Sequence, residues 1–255
     1  MSIKIFHTGN RLATLLIAAL MIGCGNSESN LPGASGESDG PAGAPGTSSA
    51  VDSSAAGGGA QAETEDHRSI VFIGTSLTAG LGLPEEQSFP RVIERRIDAA
   101  DLPFRVVNAG ISGETSAGAL SRIDWLLRQP FEVVVIETGP NDMLRGIEPR
   151  STEQNIQAII DRIRAENPEA SIVLAGMLAL PNLGETYGRA FEAIYPRLAE
   201  RNDVPLIPFL LEGVAGERAL NQGDGVHPTA EGHRIVADTV WSALEPVLTL
   251  HAERG

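Results

Sequence analysis

The 255-residue chain carries 33 acidic against 19 basic residues, a net charge of −14 with no basic run, which argues against nucleic acid and anionic lipid surfaces as electrostatic partners. Its only lysine is Lys4 and its only cysteine is Cys24. Everything downstream must therefore work without Schiff-base, Ser–Lys or phosphate-loop lysine chemistry, and without a thiol nucleophile, an intramolecular disulfide or a thiolate zinc site.

Residues 1–23 read as a secretory leader: Lys4 and Arg11 give a basic start, 12–22 is an apolar run too short to span a bilayer, and small residues follow. Met21-Ile22-Gly23-Cys24 resembles the lipobox of bacterial lipoproteins, in which the cysteine is acylated and becomes the new N-terminus. That reading predicts export across the inner membrane and a lipid anchor on Cys24 facing the periplasm or outer membrane. The alternative is an ordinary leader with an incidental cysteine. Residues 25–67 are rich in Gly, Ser, Ala and Pro, with seven acidic and no basic side chains, and predict a solvated tether spanning roughly 35 Å.

From residue 68 to 255 the composition is that of a single domain. With the leader's two basic and the tether's seven acidic residues set aside, its net charge is −9. Apolar runs at 69–74, 104–109, 132–138, 170–177 and 205–210 predict five strands buried on both faces. Between and after them come segments with helical spacing. Val92, Ile93 and Ile97 mark the first, Leu120, Ile123 and Leu127 the second, and Ile156, Ile159, Ile160 and Ile163 the third. Phe191, Ile194 and Leu198 mark the fourth, and Val236, Val240, Leu244 and Val247 the last. This alternation predicts an α/β fold: a three-layer α/β/α sandwich around a five-stranded parallel sheet.

Ligands of such sheets bind at the carboxyl ends of the strands. The loops there carry Ser76, Gly113, Asn141, the stretch 180–188, and Asp224 with His227. Ser76 follows the first strand on a tight turn, as a nucleophile would; it also reads as a turn serine capping a helix. His227, three residues after Asp224 and followed by Pro228, suits a base whose second ring nitrogen is held by a carboxylate. A polar loop capping the last helix, or a metal set of Asp224, His227 and His233, would use the same residues. Gly113 through its N–H and Asn141 through its amide, with the Ser76 N–H, suit an oxyanion hole; singly they are a turn glycine and a helix entry. Leu81, Met143, Leu180 and Leu183 fall in the same loops and are candidates for lining an acyl groove, unless they only pack beneath the loops.

Taken in order, Gly74-Thr75-Ser76-Leu77-Thr78, Gly113, Gly139-Pro140-Asn141-Asp142 and Asp224-Gly225-Val226-His227 resemble the motifs of the SGNH (GDSL-type) hydrolase superfamily, and most closely its bacterial periplasmic thioesterase/protease/lysophospholipase and arylesterase group. The resemblance runs from Ile70 to about Leu248. It implies a flavodoxin-like sandwich, Ser76 as nucleophile, Asp224 and His227 completing a triad, Gly113 and Asn141 as oxyanion donors, and no metal or organic cofactor. One position departs from the pattern: Thr75 stands where the family usually has aspartate, which puts the rigidity of the turn in question rather than the reaction class. The expected activity is hydrolysis of small-molecule or lipid acyl esters or thioesters by a monomer. Two other readings are a carbohydrate O-acetyl esterase, for which Phe89, Trp125, Tyr187 and Phe209 are the available sugar-stacking aromatics, and a non-catalytic surface-binding lipoprotein.

Overall fold

The computed structural model describes residues 68–254. The leader, Cys24 and the tether lie outside the described residues. Five strands form one sheet: β1 (Arg68–Gly74), β2 (Phe104–Gly110), β3 (Val133–Ile136), β4 (Ser171–Ala175) and β5 (Leu206–Ile207). All pairings are parallel and the order is β2-β1-β3-β4-β5. Eight α-helices are described: α1 (Ser76–Ala79), α2 (Phe89–Ala99), α3 (Ser116–Leu126), α4 (Pro140–Leu144), α5 (Pro149–Glu166), α6 (Glu185–Glu192), α7 (Ile194–Asn202) and α8 (Ala230–Ala252). α2 packs with α8, while α3 and α7 pack on α5, which gives the helical layers on either side of the sheet. Among the described residues no helix is long and apolar enough to cross a membrane.

The central strands show why the sequence reads as it does. All four residues of β3 are buried, as are the last five of β1, because helices cover both faces. Each Val or Ile so placed contributes about 1.5–3 kcal/mol relative to exposure. β2 corrects the expectation of burial on both faces. It is an edge strand in which Phe104 and Val106 are buried while Arg105 and Val107 are exposed. β5 is shorter than its apolar run: after Ile207 it is Leu210, not Phe209, whose N–H bonds to Gly176 O, at 2.9 Å, so the regular register ends there. The fourth helical segment is two helices, α6 and α7, with the break at Ala193. Pro196 explains it: the ring removes a hydrogen bond to Glu192 and would clash with that carbonyl in a continuous helix.

α8 and α2 meet through a buried histidine. His233 accepts the Phe89 N–H on Nδ1 at 3.1 Å and stacks on the Phe89 ring, whose edge meets Phe72. Burial, and secondarily His227, lower the His233 pKa to about 4. Its folded pKa thus lies below the ordinary value near 6.5. The unfolded chain binds this proton more readily, so the stability contribution is complete above about pH 6.5 and is lost as pH falls through about 4, by about 3 kcal/mol at the limit. In His233→Gln, whose amide oxygen can still accept the Phe89 N–H, the urea midpoint is expected to fall less between pH 7 and pH 4 than in the parent chain. Equal slopes would remove His233 as a source of acid lability.

Candidate active site

β1 delivers the chain to the carboxyl edge of the sheet, where Thr75 leads into α1 and Ser76 is its first residue. The Ser76 Oγ lies 2.8 Å from His227 Nε2, and His227 Nδ1 lies 2.7 Å from Asp224 Oδ2. The other carboxylate oxygen of Asp224 accepts the N–H groups of Val226 at 2.9 Å and His227 at 3.0 Å. Burial opposes ionisation of Asp224, but those two N–H groups and the His227 ring outweigh it and lower the pKa to about 2. An ionised Asp224 can only accept, so the proton of neutral His227 sits on Nδ1 and leaves Nε2 free to accept the serine hydroxyl.

The loop carrying His227 has its own scaffold. Asn221 and Pro228 form an antiparallel bridge, with Gln222 N donating to His227 O at 2.7 Å. Asn221 Nδ2 reaches the carbonyls of Val214 and Glu217. Gln222 Nε2 donates to Leu81 O at 2.7 Å, which ties the His227 loop directly to the loop after α1.

Opposite Ser76, the loop after β2 is held from several sides. Arg145 Nη2 donates to Gly113 O at 2.8 Å, and Asn141 Nδ2 donates to Glu114 O at 2.9 Å. Glu114 takes two bonds from Arg122, and Asp142 Oδ2 accepts the Ser116 N–H at 2.7 Å. Gly113 has φ +79°, a conformation that disfavours any side chain. Gly139, before α4, has φ +111°, and a Cβ there would fall 2.5 Å from the Tyr195 hydroxyl. Among the described residues neither the Ser76 N–H nor the Gly113 N–H is bonded to an acceptor, and Asn141 commits one amide proton to Glu114. A hydroxyl with a neighbouring proton acceptor and uncommitted N–H donors is what attack on a carbonyl requires.

Ser76, His227 and Asp224 are therefore brought into one hydrogen-bonded series, and Gly113 and Asn141 into one linked pair of loops. Leu81 is 44% exposed, and Leu180 and Leu183 are half-buried. Met143 corrects the expectation of a groove-lining side chain: it is 4% exposed, and its sulfur accepts the Leu180 N–H, so it supports that loop from beneath. Four further exposed apolar residues, Ile111, Leu144, Leu178 and Val226, stand on the loops of this edge and were not singled out by sequence. Nor was Glu137, fully buried just after β3, whose carboxylate bonds to Thr75 and Thr78 on either side of Ser76. An acid inside an apolar run was the signal.

The competing site chemistries find less support. His233 is turned to Phe89, and no group of three His, Cys, Asp or Glu side chains among the described residues is arranged to hold a metal. Of the four aromatics, Phe89 is buried, Phe209 packs against the core and the Tyr187 hydroxyl is bonded to Ile147 O. Trp125 is exposed, but it lies near the end of α3 that leads back to the opposite edge of the sheet.

A model of the GDSL-like Lipase/Acylhydrolase family matches residues 72–235. Esterase TesA of Pseudomonas aeruginosa is 38% identical over 182 residues, 71% of this chain and 90% of that protein. Thioesterase 1/protease 1/lysophospholipase L1 of Escherichia coli K12 is 37% identical over 181 residues, 70% of this chain and 84% of that protein. Among solved structures, that of TesA has a TM-score of 0.67 at 38% identity, covering 70% of this chain and 99% of its own. That of AlinE4, an SGNH-hydrolase family esterase, has a TM-score of 0.60 at 39% identity, covering 73% and 97%.

The Gln222–Leu81 bond is the one side-chain tie described between the two loops that bring Ser76 and His227 together. A hydrogen bond of this kind contributes about 1 kcal/mol, and the same Nε2 also donates to Pro228 O at 3.0 Å, so Gln222→Ala is expected to speed amide hydrogen exchange around residues 222–229 at least about fivefold. Unchanged exchange would mean that the hairpin holds itself.

Proposed function

Since the chain belongs to the GDSL-like lipase/acylhydrolase family and is a carboxylic ester hydrolase, we propose that it works through a covalent acyl-enzyme on Ser76. The observation that carries this reading is the unbroken pair of contacts from Asp224 to His227 at 2.7 Å and from His227 to Ser76 at 2.8 Å. His227 Nε2 takes the hydroxyl proton as Ser76 Oγ bonds to the substrate carbonyl carbon. Asp224 stabilises the imidazolium. The oxyanion is received by the N–H groups of Ser76 and Gly113 and by the remaining amide proton of Asn141. The C–O or C–S bond then breaks, the leaving group takes the proton from Nε2, and a water deprotonated by His227 releases the acid. All five residues come from one chain, so a monomer suffices.

The acyl half of the substrate rests on Leu81, Leu180 and Leu183 together with exposed apolar residues of the neighbouring loops. Aryl esters, thioesters and lysophospholipids of short to medium chain are the substrates this reading admits. The N-terminal segment supports a further part of the reading: residues 1–23 direct export, Cys24 is acylated, and residues 25–67 tether the domain, 68–255, to the periplasmic face of a membrane.

Ser76→Ala is expected to abolish both fluorophosphonate labelling and p-nitrophenyl ester hydrolysis; turnover in that variant would refute the assignment. Asn141→Ala is expected to lower kcat by about 10²–10³ with a smaller effect on KM, since the oxyanion forms only at the transition state. Cys24→Ser is expected to move the protein from the membrane to the soluble fraction and to end labelling by radioactive palmitate. A parent chain that takes up no palmitate would favour the plain leader.

A further inference from the structure

The nucleophile turn hangs on a buried acid that the mechanism above does not use. Glu137 directly follows β3, is 1% exposed, and its N–H donates to Ile73 O at 2.8 Å. Its side chain reaches across to the end of β1. Oε2 accepts the Thr75 N–H at 2.7 Å and the Thr78 hydroxyl at 2.9 Å, and the Thr75 hydroxyl lies 2.9 Å from Oε1 and 3.0 Å from Oε2. The residues on both sides of Ser76 are thus bonded to one carboxylate. Thr75 is the N-cap of α1 yet makes no side-chain capping bond, because its hydroxyl is engaged with Glu137. Gly74 makes the approach possible: a Cβ there would lie 1.9 Å from Thr78 Oγ1 and 2.7 Å from Glu137 Oε2.

We propose that Glu137 is a positioning residue for the reaction, fixing the turn so that the Ser76 hydroxyl meets His227 and its N–H is free for the oxyanion. This rests on the reading of Ser76 as nucleophile. Three donors converge on the carboxylate, and among the described residues no cation is bonded to it. The ionised form accepts from all three in charge-assisted bonds; protonation reverses the bond to the Thr75 hydroxyl and leaves all three neutral and weaker. Burial pushes the carboxyl up to about 7 against the opposing bonds from Thr75 and Thr78. The other titratable groups close by are Tyr195 of α7 and Asp142 of α4. The Tyr195 phenol is raised well above its ordinary value by burial, then by Glu137 and Asp142, and stays protonated. The turn is accordingly held best on the alkaline side of neutrality.

The test uses p-nitrophenyl acetate hydrolysis by the full chain, with kcat and KM measured from pH 5 to 9. Glu137→Leu, similar in size but without acceptors, is expected to lower kcat about 100-fold at little change in KM, as a small displacement of the attacking atom does. Glu137→Gln keeps an acceptor for the Thr75 N–H and the Thr78 hydroxyl; it is expected to retain most of kcat and to change the pH profile of kcat. Thr75→Ser is expected to match the parent and Thr75→Val to fall below it. The proposal is overturned if Glu137→Leu folds and keeps its kcat, or if the pH profile of kcat in Glu137→Gln matches the parent's. Should Glu137→Leu not fold, equal kcat in Thr75→Ser and Thr75→Val overturns it. Activity remaining in Ser76→Ala would instead defeat the nucleophile assignment, so the two failures are distinguishable.

Discussion

The sheet changes direction at its centre, and the site depends on that reversal. β1 leads outward to β2 on one side, whereas β3 leads to β4 and β5 on the other. The connections leaving β1 and β3 therefore diverge to opposite faces, and a crevice opens above two adjacent strands whose carboxyl ends are in register. Ser76 follows one of these strands and Asn141 the other. No loop has to cross the sheet to bring a hydroxyl beside an amide. Only the imidazole must come from elsewhere, and α8 supplies it from the loop before its first turn.

Within that crevice, the six residues 137–142 organise both neighbours. Glu137 binds the turn after β1, and Asp142 binds the start of α3 through the N–H and hydroxyl of Ser116. Asn141 holds the Glu114 carbonyl between them. Two buried carboxylates and an amide thus fix the loops on either side without a lysine. Backbone N–H groups and hydroxyls do this well, because a short acceptor–donor bond sets direction as well as distance, whereas a flexible cation sets mainly charge. The departure at Thr75 finds its place here: its hydroxyl bonds to Glu137 rather than capping the local turn.

Much of this was readable before the structure, and the exceptions have physical causes. The order of strands and helices follows from hydrophobic period, which reports burial directly. Period does not say which strand is at an edge, so β2 was taken as buried on both faces although Arg105 interrupts its run. Nor does it give the end of a ladder, which at β5 comes after Ile207, or the break imposed by Pro196. The Ser76, Asp224 and His227 positions were legible because strand-end loops concentrate chemistry. Glu137 was hidden within an apolar run, where an acid should itself have signalled a buried partner. Met143 was misplaced because sequence assigns a residue to a loop but not to the side of the loop it faces.

Two of the buried titratable groups pull the molecule in opposite directions. His233 is held neutral, so acid costs stability; Glu137 has a folded pKa above its unfolded value, so its favourable contribution is full below about pH 4.5 and is lost as pH rises through about 7. The form of Glu137 that holds Thr75 and Thr78 most strongly is the one the apolar surroundings disfavour. Asp224, by contrast, stays ionised to about pH 2 on an exposed hairpin whose N–H groups solvate it. Of Asp224, His233 and Glu137, Asp224 is thus the least sensitive to pH near neutrality. Sensitivity resides beneath the Ser76 turn, where apolar surroundings push up a carboxyl that three donors hold.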